Sequence, residues 1–278
     1  MKFSLCNEVL RDFEFARQCA VAAELGYAGL ELAPFTLGDD AYRLPASTRR
    51  ELRRAAANAG IALSGLHWLL VAPVGLSITS ADNAVRARTL DIMRRLVELC
   101  ADIGGGYLVH GSPAQRRISE LADPADGPAR AEAAWSAIAE DAAKAGVVYC
   151  IEPLARPAAD FITTIAEAAP IVRRIDNPSL RTMIDTSAAA VMEDQPVADM
   201  IRYWMPTGLL GHVHFNDRNR RGPGEGDDQF APVIQALHET RYDGWVGIEP
   251  FDYRPDGPAC AARCIGYVSG IMEALAWK

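Results

Sequence analysis

Residues 129–153 read ARAEAAWSAIAEDAAKAGVVYCIEP. Residues 129–145 make an alanine-rich amphipathic helix pattern, with Pro124 and Gly127 ahead of it and Gly146 behind it as start and stop signals. The run Val147-Val148-Tyr149-Cys150-Ile151 follows, continuously apolar and rich in β-favouring residues, and closes on Glu152-Pro153. A strand with no polar alternation is buried on both faces, as in a parallel sheet covered by helices. Helix, stop, buried strand and terminal carboxylate form one unit, and the fold depends on how often it recurs.

It recurs along the whole chain. Strand patterns fall at residues 3–7, 29–33, 62–67, 106–110, 147–153, 181–185, 210–216 and 245–250. Helix patterns such as 47–59, 84–103, 129–145 and 230–240 lie between them. Eight strand–helix units predict an α/β fold, a single (β/α)8 TIM barrel spanning 1–278 as one domain without a linker. A doubly wound open sheet would need a glycine-rich turn after the first strand, and Cys6-Asn7-Glu8-Val9 offers none. Residues 111–128, with three prolines, read as a long loop after the fourth strand, either a solvated loop or a lid.

Composition narrows the partners. The 278 residues carry a net charge of −8 with no basic run, which disfavours nucleic acid. The N-terminus lacks a secretion signal and no apolar run spans a bilayer, so no membrane partner and a soluble, cytoplasmic chain are expected, with homo-oligomerisation left open. Six scattered cysteines read as buried, inert thiols; Cys260 and Cys264, one helical turn apart, are the pair that could suggest a metal.

In such a barrel the chemistry sits where strands end. The polar residues there are Glu31, His67, His110, Glu152, Asp185, His214 and Glu249. Each would cost several kcal/mol if buried unpaired, so seven on one rim imply a site. Glu152, Asp185, His214 and Glu249 form a coherent ligand set: three crowded carboxylates repel one another, and a divalent metal relieves that. Three oxygen ligands and one imidazole suit Mn²⁺, Co²⁺ or Mg²⁺, with Mn²⁺ the leading candidate. His212, two residues before His214, points the same way but lies deeper, as a supporting or core histidine.

Several phrases resemble a known family. Glu24-Leu25-Gly26-Tyr27-Ala28-Gly29-Leu30-Glu31-Leu32, Ile151-Glu152-Pro153-Leu154, Ile184-Asp185-Thr186, Gly211-His212-Val213-His214-Phe215-Asn216-Asp217 and Ile248-Glu249-Pro250 are similar to the xylose-isomerase-like TIM barrels, the sugar phosphate isomerase/epimerase superfamily, and within it to the D-tagatose/D-psicose 3-epimerase branch. The resemblance implies that Glu152, Asp185, His214 and Glu249 hold the metal, that Glu152 and Glu249 are also the acid–base pair, and that Arg220 contacts a substrate hydroxyl. Glu31 is expected on the substrate side, and His67 and His110 either there or as satisfied rim histidines. This chain departs from the epimerases at Ala158 and Ala188, where they carry a glutamate and a histidine; both losses remove polar partners for sugar hydroxyls. The family's three-zinc apurinic endonucleases need the histidine missing at Ala188 and further ligands where this chain has Arg218-Asn219-Arg220-Arg221.

The activity implied is a metal-dependent sugar isomerase or epimerase of the ketose 3-epimerase kind. It moves the proton on the carbon beside a ketose carbonyl through an enediolate, one carboxylate taking the proton and the other returning it. A lyase or dehydratase on a keto-sugar or keto-inositol shares the first step. A barrel that only binds a partner would have damaged ligands, and all four are intact. The arginines after the seventh strand could hold a phosphate, but Glu225, Asp227 and Asp228 beside them favour a neutral sugar.

Overall fold

The computed structural model describes residues 1–275. Eight parallel strands close into a barrel in chain order: β1 (Lys2–Cys6), β2 (Gly29–Leu32), β3 (Ala62–Leu66), β4 (Tyr107–His110), β5 (Val148–Ile151), β6 (Leu180–Asp185), β7 (Leu210–Phe215) and β8 (Trp245–Ile248). β8 pairs with β1 from Lys2↔Trp245 to Leu5↔Ile248, which leaves no free sheet edge.

Helices follow the strands: α1 (Phe15–Leu25), α2 (Ala46–Asn58), α3 (Asn83–Ile103), α4 (Asp126–Ala145), α5 (Ile165–Ile175), α6 (Thr186–Met192), α7 (Val197–Trp204), α8 (Phe230–Glu239) and α9 (Gly257–Ala274). The expected glycine stop appears at α4, where Gly146 takes a left-handed φ of 71° and its N–H bonds the carbonyl of Ala142. α4 begins at Asp126, earlier than the sequence pattern suggests, because Pro128 fits the first turn of a helix, where no N–H is needed.

Two apolar layers make the core. Leu, Ile and Val side chains on the outer strand faces pack against the helices, with Trp135 of α4 fully buried among them. Tyr107, Val109, Cys150 and Met183 cluster separately inside the barrel. The strands end earlier than their sequence patterns: β5 stops at Ile151 and β8 at Ile248. A proline two residues beyond each, Pro153 and Pro250, has no N–H to continue the ladder, so Glu152 and Glu249 fall at the start of loops.

The segment 111–128 is tied down rather than loose. It holds a 3-10 turn (Pro113–Arg116), and the N–H groups of Ile118 and Ser119 donate to Asp160 at 3.1 and 2.9 Å.

Candidate metal centre and active site

Register brings the four candidate ligands together. Asp185, the last residue of β6, lies opposite His214 of β7, and His214 lies opposite Gly247 of β8. Glu152 and Glu249 follow β5 and β8, and their N–H groups still bond the carbonyls of His110 (3.3 Å) and Phe215 (3.1 Å) on the neighbouring strands. The ligating atoms of Glu152, Asp185, His214 and Glu249 all lie within 4.8 Å of one another, and all four residues are buried. Two glycines make room. A Cβ on Gly111 would collide with a Glu152 carboxylate oxygen, and one on Gly247 would come within 2.8 Å of the His214 ring.

The cluster has the electrostatics of a cation site. Burial, then Glu152 and Glu249, push the Asp185 carboxyl up to about 7. Burial also raises Glu249, against the pull of His214. The Nδ1 atom of His214 is buried and makes no hydrogen bond, although Glu249 Oε2 is 3.0 Å and Glu152 Oε1 3.6 Å away. An imidazole nitrogen and three carboxylates converging on one point fit a hard or borderline divalent ion held by oxygen and imidazole.

Glu31, expected on the substrate side, lies behind this cluster and is enclosed by protein groups. It is fully buried, and its oxygens are taken by His214 Nε2 at 2.8 Å, His212 Nε2 at 3.2 Å and the Tyr107 hydroxyl at 2.6 Å. Burial opposes its charge, but His214 and His212 outweigh that and hold its pKa well below the usual range. A carboxylate on the far ring nitrogen of a metal-binding histidine fixes the ring's tautomer and orientation. Glu31→Gln is expected to weaken Mn²⁺ binding about 10- to 100-fold, read by titration calorimetry on chelator-stripped protein. An unchanged affinity would remove Glu31 from this role.

Of the two readings left open for His67 and His110, both side chains have the burial of satisfied histidines. His67 is buried, and its Nε2 meets Glu8 Oε2 at 3.0 Å, with Glu249 Oε1 3.8 Å away. Burial lowers its pKa, but Glu8, Glu31 and Glu249 together lift it to about 9. His110 points into the helix layer, since the inward positions of β4 are Tyr107 and Val109. Its Nδ1 accepts from Trp135 Nε1 at 3.2 Å and lies 3.0 Å from the Tyr149 hydroxyl. Burial and Arg116 lower its pKa to about 3, which keeps the ring neutral.

Two supporting residues escaped the sequence reading. Asn216 donates to Asp185 Oδ2 at 2.8 Å and accepts from the Ser187 N–H at 3.0 Å, stitching the start of α6 to the end of β7. It directly follows the strand that carries His214, which was the signal for it. Arg116 is 1% exposed and donates to the carbonyls of Glu152 (2.5 Å) and His110 (3.3 Å). A charged residue inside a proline-rich loop gave no such signal.

Above the cluster opens a cavity of about 360 Å³ that reaches Glu152, Asp185 and Glu249. Trp68 and Phe251 form an edge-to-face pair on its wall, 5.8 Å between ring centres. Arg220 also lines it, with its guanidinium 5.1 Å from the centre of the Phe251 ring. Trp68 and Arg220 hold positive φ angles of 50° and 69°. Such conformations are costly for non-glycine residues and collect at binding sites.

A xylose isomerase-like TIM barrel family model matches residues 19–266. The chain belongs to that family. Among its relatives, D-psicose 3-epimerase of Agrobacterium fabrum is 32% identical over 208 residues, covering 72% of this chain and 68% of the relative. The 3-dehydro-D-guloside 4-epimerase of Escherichia coli is 28% identical over 201 residues, covering 69% and 71%. A crystal structure of D-psicose 3-epimerase in the presence of D-fructose superposes with a TM-score of 0.81 over 99% of both chains, at 24% identity.

Within this xylose isomerase-like frame, Ala158 and Ala188 both line the cavity, so the departures seen in sequence fall on its wall. The six cysteines are free and buried. Cys260 donates to Glu225 Oε2 at 3.0 Å and lies 4.0 Å from the Cys264 sulfur; that thiol contact, then burial, then Glu225 push its pKa up. Among the described residues no helix is long and apolar enough to cross a membrane.

Proposed function

We propose that this chain, one barrel domain over 1–278, is a divalent-metal-dependent ketose epimerase, with Glu152, Asp185, His214 and Glu249 holding the ion. The observation that carries the reading is the buried His214 Nδ1, without a hydrogen bond, among three carboxylates at the floor of a cavity. Relatives named as sugar epimerases support the same reading. Mn²⁺ suits the donor set.

When bound, the ion supplies positive charge that polarises the ketose carbonyl and stabilises the enediolate. The protein's own groups divide the remaining work. Asp185 accepts from the Ala188 N–H at 2.6 Å on one oxygen and from Asn216 at 2.8 Å on the other, so it is fixed as a ligand. Glu152 and Glu249 are less restrained and reach the cavity, which suits them to carry the proton to and from the carbon beside the carbonyl. Burial strengthens Glu249's hold on a proton, as a general base working near neutral pH requires. Trp68 and Phe251 offer ring faces and edges to the sugar's C–H groups. Arg220 is placed to hold an oxygen of the substrate.

The test is epimer formation from a panel of neutral and anionic ketoses, with chelator-stripped protein compared against protein given Mn²⁺. Activity should vanish on stripping and return with the ion. Full turnover by metal-free protein, or no epimer from any ketose with the ion present, would refute the proposal.

A further inference from the structure

The cavity wall away from the metal ligands is one-sided in its charge. Besides Glu152, Asp185 and Glu249, no acidic side chain lines it. Leu154, Pro157, Ala158, Ala188 and Val191 supply apolar surface. The charged groups are all guanidiniums: Arg156, Arg218 and Arg220.

Carboxylates that could neutralise them are committed elsewhere. Asp228 is paired with Arg218 at 2.6 Å. Asp217 accepts from the N–H groups of Asn219 (3.1 Å) and Asp228 (3.0 Å). Glu225 takes the Cys260 thiol and the Gly222 N–H. Asp227 lines a different cavity. The acidic residues that argued from sequence for a neutral sugar are thus turned away from the cavity. Arg156 and Arg220 are left with no ion pair among the described residues, in a chain of net charge −8.

A guanidinium only donates hydrogen bonds, whereas a sugar hydroxyl both gives and accepts. Two unpaired guanidiniums on a wall without acidic acceptors match a group that only accepts, in a forked geometry, such as a carboxylate or a phosphate. We infer that the substrate is a ketose bearing an anionic group, carboxylate or phosphate, at the end away from its carbonyl, and that Arg156 and Arg220 hold that group. This rests on the proposed function, because the metal ligands set which end carries the carbonyl.

The experiment uses the Mn²⁺-loaded protein with D-fructose, D-fructuronate and D-fructose 6-phosphate, comparing binding by calorimetry and proton exchange beside the carbonyl by NMR in heavy water. At least one anionic ketose should bind about tenfold or more tighter than D-fructose, and whichever wins tells carboxylate from phosphate. That advantage should shrink with added salt and collapse in R156A/R220A, both exposed positions where alanine leaves the fold intact. Equal or weaker binding of both anionic sugars, or a preference that survives the double substitution, overturns the inference. Neutral sugars exchanging best would do so while leaving the epimerase reading standing. Anionic sugars that bind through the arginines but never exchange would be ligands rather than substrates, and would overturn the inference together with the epimerase reading.

Discussion

Glu152→Gln and Glu249→Gln each lower net epimerisation by about 10³-fold or more, because each substitution removes general acid–base help and ligand charge at once. Both residues are buried, at 4% and 5% exposure, and each is nearly isosteric with glutamine, so the barrel should remain folded. Circular dichroism with steady-state kinetics separates the two effects. A folded variant within tenfold of the parent would take that glutamate out of the chemistry.

The second large effect concerns stability and activity together. Arg116→Met removes a guanidinium that burial lowers to about 10, against the attraction of Glu152, and that is therefore still charged at neutral pH. Methionine fills much of the space but leaves the Glu152 carbonyl without its 2.5 Å donor. An unpaired buried acceptor and the lost charged hydrogen bonds together cost roughly 2–3 kcal/mol. For a chain this long that corresponds to a Tm lower by about 5 °C. Because Arg116 also fixes the backbone at Glu152, kcat should fall by up to about 10²-fold, the usual consequence of a misplacement near 1 Å. Unchanged melting and turnover would mean that the segment 111–128 does not position Glu152.

The barrel and its ligand set were legible for one physical reason. A strand buried on both faces must read as an apolar run, so Glu152, Asp185, His214 and Glu249 stand out as polar groups at its end. Direction was not legible. His110 ends an apolar run just as His214 does, yet it belongs to the outward-facing set of β4 and meets Trp135 rather than the cavity. Glu31 looked like a rim carboxylate because its partners, His212 and His214, come from a strand far along the chain. Arg116 lies in a segment with no periodicity, where sequence gives no clue to burial. Nor was it legible where the acidic residues near Arg218 point: Asp228 turns onto Arg218 and Glu225 onto Cys260, and neither lines the cavity.

The central claim is that Glu152 and Glu249 share one proton transfer at a bound metal. Proton NMR of both C3 stereoisomers of an active ketose in heavy water, with E152Q and E249Q and with metal content measured in parallel, tests it most directly. Each metal-loaded variant should still exchange the proton of one stereoisomer, opposite in the two variants, while neither interconverts them. Interconversion by either variant, or loss of exchange in both with metal bound, would contradict a two-glutamate epimerase.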